Sequence, residues 1–132
     1  MRIKILILGL IFLFLVACGE EDSLESPFSP SLKRAVIVLD GPLFRTYTSY
    51  GTPQFTGYVK NTGTGTGYNC MVDIACYSDS NKITIIDNAK GFPADLGDIG
   101  VGQRAFFKAV AFECSSHSQI LSYSVDITWL NK

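Results

Sequence analysis

From Ala35 onward the apolar residues come in short runs broken by Gly, Pro, Asn, Asp and Ser, and no stretch keeps a helical period long enough to compete. The runs predict strands over "RAVIVLDGPLF", "QFTGYVKNT", "YNCMVDIACYS", "ITIIDNAKGF", "AFFKAVAFEC" and "LSYSVDITWL". Two of them alternate cleanly enough to assign faces. Cys70, Val72, Ile74 and Cys76 share one face while Asn69, Met71, Asp73 and Ala75 take the other, so the first set is expected in the core. In "YSVDITW", Tyr123, Val125, Ile127 and Trp129 alternate with Ser124, Asp126 and Thr128, the pattern of a half-buried antiparallel strand. Around Phe106 two inward sets compete, Phe107, Ala109 and Ala111 against Phe106, Val110 and Phe112; Lys108 falls in the second set and favours the first. Six or seven short strands in about 100 residues predict an all-β, antiparallel β-sandwich.

Before Ala35 the patterning is of another kind. "MRIKILILGLIFLFLVAC" opens with Arg2 and Lys4 and runs apolar from Ile5 to Ala17, the layout of a secretory signal and shorter than the roughly 20 residues of a membrane-spanning helix. Its end, Leu15-Val16-Ala17-Cys18, resembles the lipobox of bacterial lipoproteins. That resemblance implies cleavage before Cys18, a diacylglycerol thioether on its Sγ and an acyl chain on its amine, each buried methylene adding ~0.8 kcal/mol of anchoring. The competing reading is an ordinary signal peptide cut near Ala17, with Cys18 a plain thiol. Gly19, rather than the aspartate that resembles an inner-membrane retention signal, implies the outer membrane. The acids Glu20, Glu21 and Asp22 are similar to the surface-export signals of Bacteroidetes lipoproteins. "GEEDSLESPFSPSLK" that follows is acidic, Ser-rich and broken by Pro27 and Pro30, and reads as a flexible linker. The expected organisation is a signal peptide over 1–17, a lipidated N-terminus and tether over 18–33, and one β domain over 34–132.

"FTGYVKNTGTGTGYNCMVDIACYSDSNKI", followed by "LGDIGVGQRAFFKA", resembles the FxLYD-type domain, an immunoglobulin-like β-sandwich of bacterial and archaeal envelope proteins. Gly57, Val59 and Asn61 match its first strand, Cys70, Val72 and Ile74 its second, and Gly102 and Phe107 a later one. Cys76 stands where the family has Leu, Ser78 where it has Asp, and Gln103 where it has Glu. The resemblance implies an immunoglobulin-like sandwich associated with the envelope and brings no catalytic residue.

Composition narrows the partners. The chain carries 11 basic and 12 acidic residues in 132, with the early acids gathered behind Cys18, so the domain is nearly neutral and has no basic stripe. Nucleic-acid binding is thereby disfavoured. A 47% hydrophobic content, even discounted for the first segment, supplies one core.

With Cys18 given to lipid, Cys70, Cys76 and Cys114 remain, so at most one disulfide can form. Cys70 and Cys76 lie about 20 Å apart along one strand at ~3.3 Å per residue, beyond bridging reach. If the strand ending at Cys114 runs antiparallel beside the one starting near Cys70, the expected pair is Cys70 with Cys114, leaving Cys76 a buried thiol; the alternative is three reduced, buried cysteines. Cys114 and His117 have a spacing a metal can use, but a structural zinc site takes four ligands and no fourth is evident, so no metal and no cofactor is expected. The lone His117 among serines has no Gly-x-Ser-x-Gly elbow, Asp95 and Asp98 read as an acidic turn, and "NTGTGTGYN" lacks the Gly-Lys-Ser/Thr ending of a phosphate loop. Gly63, Gly65 and Gly67 read instead as a flexible turn.

The expectation is a non-enzymatic, membrane-anchored interaction or assembly module of the cell envelope. Its partner is an envelope protein; the alternative is a surface glycan or peptide ligand. The contact surface is expected where one end of the domain carries Asn61, Thr64, Thr66 and Tyr68 together with Ser116 and His117. Tyr47 and Tyr50 either join that surface or pack on a sheet face.

Overall fold

A computed structural model describes residues 31–93 and 97–132. The signal segment 1–17, Cys18, the tether as far as Pro30, and Asp95 lie outside the described residues. The unit Leu32–Lys132 is all-β: β1 (Ile37–Leu39), β2 (Phe44–Tyr47), β3 (Pro53–Asn61), β4 (Tyr68–Tyr77), β5 (Ile85–Gly91), β6 (Arg104–Val110) and β7 (Ser122–Leu130), with one 3-10 turn at His117–Gln119. The first predicted run breaks in two. Asp40 ends β1, Gly41 turns the chain at φ +100, a region closed to most side chains, and Pro42 brings no N–H to a ladder. Both pieces then pair with β3, β1 along Val59–Asn61 and β2 along Pro53–Thr56.

The strand order is β1-β3-β6-β5-β4-β7, antiparallel throughout, with β2 beside β1 on the same edge of β3. β3 and β6 pair over Gln54–Lys60, and β4 pairs with β5 on one side and β7 on the other. Between these two halves only Lys90 and Val110 are paired, so the sheet turns a corner there. Residues from both halves share one core: Phe55 and Val59 from β3, Ala105, Phe107 and Ala109 from β6, Val72, Ile74 and Cys76 from β4, and Ala89 from β5. That is a sandwich-like arrangement, with two sheet faces closed over one interior. Phe55 and Phe107, both essentially inaccessible, each contribute about 1.5–3 kcal/mol of burial.

The alternation read from the sequence sets these faces. Cys70, Val72, Ile74 and Cys76 are fully buried; Tyr123, Val125, Ile127 and Trp129 pack partly buried against the core. On β6 the inward set is Phe107 and Ala109, continued by Ala111, while Phe106 is 43% exposed. Charge decided the ambiguous strand because a buried lysine has no partner there to offset its desolvation.

Strand direction defines two ends. The connections 62–67 and 92–103 lie at one, together with residues 33–36 where the chain enters the domain. The turns 48–52, 78–84 and 111–121 lie at the other.

Candidate functional site

The end opposite to where the chain enters is built from two segments that the sheet brings together. In β2, Arg45 pairs with Phe55 and Tyr47 with Pro53, so Arg45 and Tyr47 share the inward face at the sheet edge. The 48–52 turn closes on Thr48 N–H to Thr52 O at 2.9 Å and Gly51 N–H to Thr48 O at 2.9 Å. Opposite stands the 3-10 turn. Ser116 caps it, its Oγ accepting from Ser118 N–H at 3.2 Å, while Gln119 Oε1 accepts from Ser115 N–H at 2.7 Å and Ser116 N–H at 3.2 Å. This reciprocal cap fixes the orientation of the intervening His117.

His117 latches the two segments. Its Nε2 lies 2.7 Å from Thr46 O; a carbonyl only accepts, so Nε2 carries the proton. The ring meets Tyr47 edge-on at 4.9 Å and Phe55 at 5.4 Å, and its backbone N–H donates to Tyr47 Oη at 3.4 Å. Nδ1 is buried without a partner among the described residues. Arg45 adds a second tie: its guanidinium donates to Ile120 O at 3.1 Å and lies over the rings of Tyr123 at 5.5 Å and Phe55 at 6.0 Å. With one imidazole nitrogen spent on a carbonyl and the other enclosed, the ring ties β2 to the 111–121 connection. Sequence reasoning missed Arg45, although its period-two spacing from Tyr47 in "FRTY" was the available signal.

Beside the latch lies an open pocket of about 490 Å³ lined by Ser78, Ile86, Glu113, Cys114, Ser118, Gln119 and Leu121. Large apolar side chains stand free in the surrounding turns: Tyr50 is 95% exposed, Phe112 79% and Leu121 63%. Tyr47 is half exposed at the end of its strand and Tyr50 stands in the turn, so the two tyrosines divide between packing and presentation.

The other end differs from expectation in two respects. Asn61 is fully buried: its Nδ2 donates to Gly65 O at 2.7 Å and Ile99 O at 2.9 Å, and its Oδ1 accepts from Gly63 N–H at 2.9 Å and Val36 N–H at 3.2 Å. It shapes the loop and presents nothing to a partner. Nor is the glycine run a loose turn, because a Cβ on Gly63 would stand 2.2 Å from Arg34 O and 2.5 Å from Val36 N. The glycines admit the incoming strand against the loop, which then bonds it through Thr64 and Gly65 N–H to Arg34 O at 2.8 and 3.0 Å. Thr64 is exposed, and Thr66 and Tyr68 are half-buried, Tyr68 beneath Lys132 Nζ at 4.3 Å from its ring centre. These residues and the Ser116–His117 turn occupy opposite ends of the domain. They do not form one surface as expected, since three strands separate the two connections and each strand reverses the chain.

The same topology corrects the cysteine pairing. Cys70, Cys76 and Cys114 are free, buried thiols. β6 neighbours β3 and β5, not β4, and runs in the same direction as β4, so Cys114 lies level with the far end of β4 from Cys70. Burial raises all three thiols above their ordinary value; Cys76 is pushed up to about 11, with the charges of Cys114 and Asp87 adding to burial. Asp98 adds to the rise at Cys70, at the opposite end. Among the described residues no three His, Cys, Asp or Glu side chains converge as metal ligands.

Comparison with protein-family models, curated proteins and solved structures gives no match, so the functional reading rests on the residues themselves.

Proposed function

We propose that this chain is a lipid-anchored, non-catalytic envelope protein whose sandwich, of the FxLYD immunoglobulin-like type, contacts another envelope protein through the end that carries His117. Cys18 holds it to the membrane, with the outer membrane as the favoured site, and the acidic tether gives it reach. The observation that carries the contact surface is the open pocket beside Cys114, lined by exposed Leu121, with exposed Phe112 two residues before Cys114 in the same connection. A concave, partly apolar site flanked by uncovered large side chains is the usual form of a recognition surface. The use of His117 Nε2 on Thr46 O and the enclosure of Nδ1 support a non-catalytic role for that end. The chain enters at the other end, which leaves this one clear of the tether's attachment.

The test is photo-crosslinking in intact cells from a benzophenone side chain at Leu121, with Val101 on the opposite end as control. An envelope-protein adduct from Leu121 and none from Val101 supports the reading. Equal adducts from both positions, or none from Leu121, would sink it. The pocket also suits a second reading, a peptide-binding module, in which Leu121 captures short peptides instead of a folded protein.

A further inference from the structure

We infer that Cys76 and Cys114 form an intramolecular disulfide when the chain meets an oxidising milieu, clamping the end of β4 to the connection that follows β6. The geometry comes from three ties. Cys76 pairs across the ladder with Asp87, so their side chains leave the sheet on the same face. Asp87 Oδ2 accepts from Glu113 N–H at 2.9 Å, which brings the residue next to Cys114 over that face. Farther along, Leu121 N–H donates to Tyr77 O at 2.9 Å, so the connection is pinned on both sides of Cys114 to residues adjoining Cys76. Both cysteines are buried, at 0% and 4% exposure, and the effect of the Cys114 charge on Cys76 is consistent with this closeness. The Cys76 Sγ now points at Ile74 O, 3.7 Å away, and turns toward Cys114 by rotation about χ1. Cys70, six residues back along β4 and at the other end, is out of reach.

The roles of the two thiols differ. Cys114 lines the open pocket, where a small or protein-borne disulfide can reach it; Cys76 is enclosed. The Cys114 thiolate attacks one sulfur of that external disulfide and expels the first thiolate, which takes up a proton. The Cys76 thiolate then attacks the Cys114 sulfur of the mixed disulfide and expels the second. Two protein thiols are thus oxidised and lose two protons, and the external disulfide is reduced to two thiols.

The oxidising surroundings rest on the export reading above, but the pairing rests on geometry alone, so two arms separate them. In the first, the reduced full-length chain in detergent is treated with oxidised glutathione, unfolded, alkylated, cut with cyanogen bromide after Met71 and run without reductant. The cut separates Cys18 and Cys70 from Cys76 and Cys114. The expected result is two separate fragments, the C-terminal one blocked to alkylation until it is reduced. Fragments held together until reduction would mean a bond from Cys18 or Cys70 to Cys76 or Cys114, and a C-terminal fragment with both thiols alkylated would mean no bond; either overturns the inference. The second arm repeats the cut on protein acid-trapped from cells. A chain that forms the bond in vitro yet is reduced in cells supports the pairing and counts against export.

Discussion

Replacing Asn61 with Ala removes the side chain on which the glycine loop is built. Four bonds go at once, two donated to Gly65 O and Ile99 O and two accepted from Val36 and Gly63 N–H. At about 1 kcal/mol net each, and with Gly65 O and Ile99 O left without their donor in a buried site, the expected loss is ~3–5 kcal/mol. That is a large share of the ~5–15 kcal/mol that holds a domain together. Urea unfolding followed by fluorescence reads it as a fall in midpoint at unchanged slope. Asn61→Asp sharpens the test. It keeps the acceptor for Val36 and Gly63 but turns the Nδ2 donor into an oxygen facing two carbonyls. Only the protonated acid can donate there, so the folded state raises the carboxyl's pKa. Stability is then retained below the ordinary carboxylate value and lost as pH rises from there through the raised folded-state value. A loss below about 1 kcal/mol for Asn61→Ala, or no acid recovery for Asn61→Asp, would refute the clamp.

Gly63→Ala places a methyl against the backbone of residues 34–36 and is expected to lower the urea midpoint well beyond Gly41→Ala, which pays only its positive φ because nothing lies within 4 Å. Similar losses from the two would mean the loop yields freely. Asp79 accepts from Thr84 N–H at 2.7 Å and Ile83 N–H at 3.1 Å, and these backbone bonds hold its carboxyl below the ordinary value. Its contribution is therefore present above that ordinary value and fades as pH falls through the lowered one; Asp79→Asn should flatten the acid limb of the stability profile measured by thermal melts. His117→Ala, which frees the 111–121 connection from β2, should cost about 1–2 kcal/mol and speed amide exchange at Ile120 and Leu121. An unchanged exchange rate there would remove the latch.

The faces of β4, β6 and β7 were legible because alternation is local: Cys70 and Cys76 point inward whatever strand lies beside them. What depends on strand order was not. Pairing Cys114 with Cys70 requires β6 and β4 to be antiparallel neighbours, whereas β5 lies between them and the two run in the same direction, so Cys114 falls at the Cys76 end of β4. The break at Asp40-Gly41-Pro42 was visible as turn chemistry, yet the run around it was read as one strand because Val38 and Phe44 are both apolar. The glycine loop was read as loose because a glycine that supplies freedom and one that supplies room look alike in a sequence; only Arg34 and Val36 lying against Gly63 tell them apart. The tie from Arg45 to Ile120 and the pocket beside Cys114 arise from segments brought together by the fold; local spacing marks only that Arg45 shares a face with Tyr47.

The proposed display of the His117 end to an envelope partner depends on Cys18 being the anchored N-terminus. Mass spectrometry of the mature protein extracted from membranes tests this most directly. The predicted result is a chain beginning at Cys18, carrying thioether-linked diacylglycerol and an amide-linked acyl chain, with Cys18→Ser unprocessed and unlipidated. A mature protein that begins elsewhere, or retains an unmodified Cys18, would contradict it.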